Sequence, residues 1–361
     1  MIDLVDDSVE SFAASLRRKA VHFRKFVEAA REVVYCRRVP VEKYPVPEDL
    51  VVGSVDGSNN QRESVGVAVC VTRAVGVLMR GLSDRKPLLV RRGFPRELSV
   101  SELANLADES KILRDLHEAQ VALELVEKMG DRPGVLMLDG PILPDDGVIA
   151  GIGRSVRGVE LVNRYVAYFL KYVGRKGRPG LVSKLLRVTR EKGVPVVGVV
   201  KRPRSLEYVG NLLGHDLCQK FGMHDALVLS PILEELQRDG NHYATEVLPT
   251  RPQRIHSYLD GVEHGDVLFS YLLPTRGAPP IRVEVPKWVD EEGRTEEVLS
   301  LVVRTAEPSH VGIPLPVMLA HVQCKLPEKL GEVLWRELEF RAAELGQLGL
   351  QMIKSYRGRS P

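Results

Sequence analysis

The chain has 361 residues, and its 51 lysines and arginines nearly balance its 48 aspartates and glutamates, giving a net charge of +3. This length can bury one large core or two smaller ones. The charge balance neither requires nor excludes a nucleic-acid partner, because clusters such as 17–25, 84–96 and 174–180 could form a local basic patch. Such clusters are more often solvated surface.

Cysteine usage and hydropathy exclude several other classes. The 4 cysteines are far apart and form no Cys-x-x-Cys pair, which argues against a disulfide framework or a zinc knuckle. The N-terminus is acidic and lacks the apolar segment of a secretory signal. No uncharged apolar stretch is long enough to span a bilayer. We therefore expect a soluble, cytoplasmic protein.

The hydrophobic pattern predicts an α/β protein in which a strand meander precedes alternating helices and strands. The predicted elements are a helix over 8–34, a proline-punctuated connector over 37–50, strands over 50–56, 64–72 and 74–80, a helix over 101–128, a strand over 134–139, a helix over 181–192, a strand over 195–200, strands over 280–288 and 298–305, and helices over 315–325 and 327–354. The order of three strands, helix, strand, helix and strand is that of a ribonuclease H-like domain. We expect a mixed sheet flanked by helices, with helical and loop additions.

Two of the predicted strands end on an aspartate followed by glycine. Asp56 ends the first Val-rich strand, and Asp139 ends the strand in "LMLDGPI". Ligand sites gather at the carboxyl ends of parallel strands, so the two carboxylates could meet there. Close carboxylates repel unless a cation compensates, and oxygen ligands suit Mg²⁺ or Mn²⁺. The glycines would then let a metal-bound phosphate approach the backbone. Alternatively, each Asp-Gly pair simply makes a turn.

A third acid could come from the helix over 101–128. Glu118 falls on one stripe with Val121, Ala122 and Leu125, where a carboxylate is costly unless it is paired or metal-bound. Arg114 precedes it by four residues, so an ordinary salt bridge is the alternative. Glu109 is a weaker competitor. His321 also lies in an apolar helical stretch, where a lone histidine is more often a core residue than a ligand.

These motifs together resemble the NurA nuclease family, the partners of the HerA DNA translocase. The matching segments occur in the family's order from about residue 50 to 325: "DGS" at Asp56, "RDLHE" ending at Glu118, "LDGPI" at Asp139, "VVGVVKRPRS" (196–205), "YLLP…PIRVEVP" (271–286) and "GIPLPVMLAH" (312–321). The last segment lacks the aromatic residues that the family often has there, which puts a base-stacking role for it in doubt.

The resemblance implies a ribonuclease H-like nuclease core in a homodimer that docks to a HerA-type hexameric ATPase during DNA end resection for double-strand break repair. It implies Mn²⁺-dependent (or Mg²⁺-dependent) DNA cleavage of the single-strand endonuclease and 5′–3′ exonuclease type. The metal ligands and catalytic residues would be Asp56, Glu118, Asp139 and His321, and the DNA contacts Lys201, Arg202 and Arg204. Hydrolysis would use two metal ions about 3.5–4 Å apart, with Asp56 the best candidate to bridge them.

The corresponding division of the chain has three parts. We expect an N-terminal helix and connector over 1–48, the ribonuclease H-like nuclease domain over 49–325, and a C-terminal helix over 326–361 that packs on the core. Two alternatives stay open for the function. One is a catalytically silent, ribonuclease H-like DNA-binding scaffold. The other is an actin-like phosphotransferase, although the phosphate-binding lysine and the adenosine motif expected of that fold are not visible.

Overall fold

The computed structural model describes residues 20–63, 68–82, 84, 86–101, 106–143, 180–201, 203, 205–250, 265–306, 312–344 and 346. Its contacts divide the chain into two compact units. The first comprises Met1–Pro45, Val199–Arg251 and Val267–Pro314, and the second comprises Val46–Gly198, Pro252–Asp266 and Leu315–Pro361. Each unit is therefore assembled from segments that are distant in sequence. The three-part division predicted from the sequence remains a prediction.

The described strands are β1 (Cys36–Val39), β2 (Val51–Glu63), β3 (Ala68–Arg80), β4 (Leu88–Ser101), β5 (Gly134–Asp139), β6 (Val196–Val200), β7 (His242–Thr245), β8 (Leu248–Pro249), β9 (Val267–Leu272) and β10 (Ile281–Pro286). The described helices are α1 (20–33), α2 (Leu106–Met129), α3 (Leu181–Glu191), α4 (Glu207–Leu213), α5 (His215–Phe221), α6 (Asp225–Leu236), α7 (Lys287–Glu291), α8 (Thr295–Ala306), α9 (Leu315–Cys324) and α10 (Leu330–Glu344). The first part of the helix predicted over 8–34 and the end of that over 327–354 lie outside the described residues.

The second unit is built on a mixed sheet in the order β6-β5-β2-β3-β4. The meander β2-β3-β4 is antiparallel, whereas β2 and β5 are parallel. The unit boundary falls within β6. The element order β2-β3-β4-α2-β5-α3-β6 and this strand order are those of a ribonuclease H-like core, so the predicted α/β fold class is confirmed.

Helices pack on the sheet of this unit through apolar side chains. On α2, Val121 and Leu125 are fully buried and lie against Gly76 of β3, where a Cβ atom would come within 2.6 Å of Val121 Cγ1. Ala320 of α9 packs in a cluster with Val77 and Met79 of β3. Because side chains of successive strand residues alternate between faces, Gly76 and Val77 lie against different helices.

Strand boundaries in the meander were predicted wrongly, and the first strand, predicted to end at Asp56, continues to Glu63. The segments 64–72 and 74–80 belong to one continuous strand, β3, whose ladder with β2 runs from Ala68 to Arg80. The polar pair Thr72-Arg73 resembles a turn in sequence, but the structure has only a shift of register there against β4. The third strand of the meander is β4, whose charged residues and proline hid it. Such residues are typical of an edge strand, where they discourage pairing with other chains.

The first unit contains the antiparallel strands β1-β7-β9-β10. Residues 298–305 were predicted as a strand, and this is wrong: they belong to helix α8. Its buried residues Val298, Leu299, Val302, Val303 and Ala306 recur at helical spacing. The valines suggested a strand locally, but a stripe of this period can be buried only by a helix. Val27 and Ala30 of α1 are buried in the core of the same unit.

Within the described ranges, no helix is long and apolar enough to cross a membrane.

Candidate metal-binding active site

Strand pairing in the second unit brings Asp56 and Asp139 to adjacent positions. In the parallel pair of β2 and β5, Val55 lies opposite Leu138, and each aspartate is the next residue of its strand. Both side chains are nearly buried, with 10% of Asp56 and 8% of Asp139 exposed. The backbone N–H of Gly57 donates a hydrogen bond of 2.7 Å to Oδ1 of Asp56, which helps to orient that carboxylate.

His321 of α9 lies next to both aspartates. Its Nδ1 atom is 2.7 Å from Oδ2 of Asp56 and 3.5 Å from Oδ2 of Asp139. The imidazole is 55% exposed, so it lies between two buried carboxylates and the surface. The sequence placed His321 in a helix but did not indicate which elements that helix packs against.

Glu118 reaches the site from α2. Its Oε1 atom lies 3.3 Å from Nε of Arg114, so the salt bridge considered from the sequence is present. Arg114 also donates hydrogen bonds of 3.0 and 2.6 Å to Oδ1 of Asp115. The arginine is thus held between two acids of its own helix, and it fixes the position of Glu118.

Gly57 makes room for these side chains. A Cβ atom at this position would lie 2.7 Å from Cγ of Arg114 and 2.9 Å from Cγ of Glu118, and it would also collide with the Glu118 carboxylate. The sequence suggested that this glycine admits a phosphate to the backbone, and this is wrong for Gly57, because α2 side chains fill that space. Gly140 differs: nothing lies within 4 Å of its Cβ position, and its φ of +140° favours glycine.

The electrostatics of Glu118 reflect this crowding. Burial raises its pKa well above the usual range, neighbouring Asp115 raises it further, Arg114 lowers it, and Asp56 and Asp139 raise it again. Burial and the Asp56, Glu118 and Asp139 charges likewise raise the pKa of the Cys324 thiol. The acids are therefore close enough to disfavour each other's charge, and a bound cation would relieve that repulsion.

Cys324 is a member of the cluster that the sequence did not suggest. A carboxylate oxygen of Asp56, a ring nitrogen of His321 and the Cys324 sulfur all lie within 4.8 Å of one another. The spacing of three residues between His321 and Cys324 places them on one face of a helix, and this was the signal available in the sequence. A cysteine without a Cys-x-x-Cys partner drew no attention.

Of the three predicted DNA contacts, Lys201 belongs to the described residues. Lys201 follows β6 in the first unit and is half-buried, whereas Arg202 and Arg204 lie outside the described residues. The side chain of Glu109 is likewise outside them, although its backbone belongs to α2.

The sheet order and the clustered acids define an α/β protein with a ribonuclease H-like core. A model of the NurA domain matches residues 50–326, so the chain belongs to the NurA family of nucleases, as the sequence motifs predicted. A search of the curated proteins gave no significant match.

Similar folds occur in solved NurA structures. The NurA nuclease from Sulfolobus solfataricus superposes with a TM-score of 0.63 at 17% identity, covering 96% of this chain and 99% of that one. NurA bound to dAMP and manganese has a TM-score of 0.52 at 11% identity, covering 95% and 97% of the two chains. NurA with manganese has a TM-score of 0.51 at 12% identity, covering 91% and 98%. At these identities the likeness establishes the shared fold.

Proposed function

We propose that this protein is a divalent-metal-dependent deoxyribonuclease that hydrolyses phosphodiester bonds with Asp56, Glu118, Asp139 and His321. The observation that carries the proposal is the position of the His321 imidazole, 2.7 Å from Asp56 and 3.5 Å from Asp139. Side chains from distant parts of the chain thus converge where the parallel pairing of β2 and β5 ends. The manganese in solved NurA structures gives further support.

The donor set fits a divalent metal. Asp56 and Asp139 offer nearly buried carboxylate oxygens, and Glu118 a third carboxylate whose charge is disfavoured without a cation. We propose these acids and His321 as the metal ligands, for two ions of Mn²⁺ or Mg²⁺. Such ions would lower the pKa of a water and stabilise charge on the phosphate and on the leaving oxygen.

The chain's own groups prepare the reaction. Arg114 holds Glu118 through its Nε atom at 3.3 Å, and the missing side chain of Gly57 leaves room for that pair beside β2. His321 lies against Asp56, so helix α9 brings a nitrogen donor to the carboxylates. The nearly buried position of both aspartates limits the access of water to them.

Basic residues would hold the DNA backbone without reading its sequence. We propose Lys201, Arg202 and Arg204 for this role, and add Arg73. Arg73 pairs with Ser58, two residues beyond Asp56, and its guanidinium lies 5.9 Å from the ring centre of Phe94. The Nε atom of Arg73 is buried and has no hydrogen-bond partner among the described residues.

In the cell, we propose that a homodimer acts in the cytoplasm with a HerA-type hexameric ATPase in DNA end resection. The sequence contains no Walker A motif, so continuous digestion would need an external motor. Cleavage of the single-strand endonuclease and 5′–3′ exonuclease type is part of this proposal.

The test is a cleavage assay with end-labelled linear DNA, with Mn²⁺ or with a chelator, and with or without a HerA-type ATPase. We expect cleavage only with the metal, and faster digestion with the ATPase. DNA binding without cleavage in saturating Mn²⁺ would reject the nuclease and favour a silent scaffold. Phosphate transfer from ATP would favour the actin-like phosphotransferase.

A further inference from the structure

Cys324 adds a sulfur donor to the cluster of acids and imidazole. Its Sγ atom, Nδ1 or Nε2 of His321 and a carboxylate oxygen of Asp56 all lie within 4.8 Å of one another. Oδ2 of Asp139 is 3.5 Å from Nδ1 of the same histidine. One oxygen, one nitrogen and one sulfur are therefore gathered around a small volume in the second unit, and a second carboxylate oxygen lies beside the imidazole.

This donor set is mixed, whereas Mg²⁺ and Mn²⁺ favour sites made of oxygen. Zinc accepts cysteine sulfur, histidine nitrogen and carboxylate oxygen together, commonly in a four-coordinate arrangement. With bonds of roughly 2.0–2.3 Å, tetrahedral donors lie roughly 3.3–3.8 Å apart, and the donor atoms of Asp56, His321 and Cys324 already lie within 4.8 Å of one another.

We propose that Asp56, Asp139, His321 and Cys324 bind zinc, and that zinc bound there inhibits the protein. The inhibition rests on the proposed nuclease function, because zinc would occupy carboxylates that the reaction needs. When zinc binds, a zinc–sulfur bond replaces the sulfur–hydrogen bond of Cys324, and the proton leaves to solvent. Zinc is favoured over Mn²⁺ at a site containing thiolate and imidazole.

The surroundings of Cys324 distinguish it from an ordinary core cysteine. The residue is 1% exposed, and its thiol donates a hydrogen bond of 3.2 Å to the backbone oxygen of His321. A carboxylate oxygen of Asp56 also lies within 4.8 Å of this sulfur. A cysteine kept only for packing would lie among apolar side chains, whereas this one faces a carboxylate that is itself a candidate metal ligand.

The experiment uses Co²⁺ as a coloured substitute for zinc on the full-length protein. Cobalt bound to a thiolate gives a ligand-to-metal charge-transfer band in the near ultraviolet, whereas cobalt bound only by oxygen ligands does not. We expect this band in the wild type and in the control Cys36→Ser, whose cysteine lies in the other unit. We expect it to be lost in Cys324→Ser and to be displaced by zinc. Absence of the band in the wild type would overturn the proposal even if Cys324→Ser failed to fold.

A second measurement concerns inhibition. In the Mn²⁺-supported cleavage assay, Cys324→Ser should need at least about tenfold more zinc for half inhibition than the wild type, since losing even an outer partner of a metal ligand weakens binding that much. Equal inhibition of both, or a band that survives in Cys324→Ser, would overturn the role of Cys324. If the cobalt band is present but Mn²⁺-dependent cleavage is absent, the proposed zinc site is supported and the proposed nuclease function is rejected.

Discussion

Nδ1 of His321 lies 2.7 Å from Oδ2 of Asp56, although the two residues are 265 positions apart in sequence. The helix that carries the histidine follows a long segment belonging to the other unit. The contact therefore forms only when the second unit is complete. It links the nearly buried aspartates to an imidazole that is 55% exposed.

The first prediction concerns the two aspartates. Asp56→Asn and Asp139→Asn should each lower Mn²⁺-dependent cleavage by at least about 100-fold, because losing a direct ligand should exceed the effect of losing an outer-shell partner. Folding should be retained, since the amide keeps the shape of the side chain. Cleavage of labelled DNA is measured alongside DNA binding. The control is Asp131→Asn, in the exposed turn before β5, which should cleave normally. Wild-type rates in either active-site variant would contradict the metal site.

The second prediction assigns the acid of α2. Glu118→Ala should abolish cleavage, whereas Glu109→Ala, in the same helix, should leave it within about twofold. The reason is that Glu118 interacts electrostatically with both Asp56 and Asp139. Both variants are assayed at saturating Mn²⁺. An inactive Glu109 variant beside an active Glu118 variant would reverse the assignment.

The third prediction is a stability effect of Glu118 in the metal-free protein. The pKa of Glu118 in the folded chain is raised, mainly by burial. At pH values between the ordinary glutamate pKa and this raised pKa, the folded chain therefore binds more protons than the unfolded chain. The free energy of unfolding therefore falls as pH rises through this window. Glu118→Gln should remove this fall, so the variant should be more stable than the wild type at neutral pH and lose that advantage in acid. Urea unfolding with a chelator at both pH values measures it, and an unchanged pH dependence would refute it.

The fourth prediction tests the space left by Gly57. Gly57→Ala should displace Arg114 and Glu118 and abolish most cleavage, with overpacking costing about 1–3 kcal/mol of stability. Gly76→Ala is the matched control, because its Cβ would meet Val121 and Leu125 of the same helix instead of the acids. The control should lose similar stability but cleave normally per folded molecule. Equal losses of activity in both would mean that Gly57 matters only for packing.

The fifth prediction concerns a buried ion cluster in the first unit. Nη1 of Arg282 is 2.6 Å from Glu207 and Nε is 2.8 Å from Glu284, and all three side chains are at most 9% exposed. Arg282→Leu should cost about 3–5 kcal/mol, because it removes the positive charge that compensates two buried carboxylates. Replacing all three residues with leucine should recover most of that loss. Unfolding in denaturant measures the free energy of unfolding of both variants. A triple variant no more stable than Arg282→Leu would contradict this prediction.

A final experiment addresses the partner surface at the N-terminus. Deleting residues 1–36 would remove Val27 and Ala30 from the core of the first unit, so point changes are the sharper test. Val33 and Tyr35 are 46% and 66% exposed at the end of α1 and just after it. Changing both to glutamate should weaken co-elution with a HerA-type ATPase and leave cleavage intact. The control changes exposed Val333 and Phe340 of α10 to glutamate, and unchanged co-elution in the first variant would exclude this surface.

The sequence by itself determined the fold class and the family. The order of strands and helices predicted a ribonuclease H-like sheet, and short motifs around Asp56 and Asp139 predicted the NurA family. Hydrophobic periodicity predicts these elements because the spacing of apolar residues along a segment shows whether a strand or a helix would bury them on one face. That spacing is a local property of the sequence. The position of Asp139 at a strand end was equally visible, whereas Asp56 lies within β2, which continues to Glu63.

The tertiary structure decided what depends on pairing between distant segments. Thr72 and Arg73 continue a strand because β2 pairs with them and with the residues before and after them. Residues 298–305 form a helix because only a helix buries their valines together. Cys324 joins the acids because α9 packs beside β2. The role of Gly57 likewise depends on side chains that arrive from α2. Sequence encodes each of these segments, but their contacts arise only when hydrophobic burial brings the segments together.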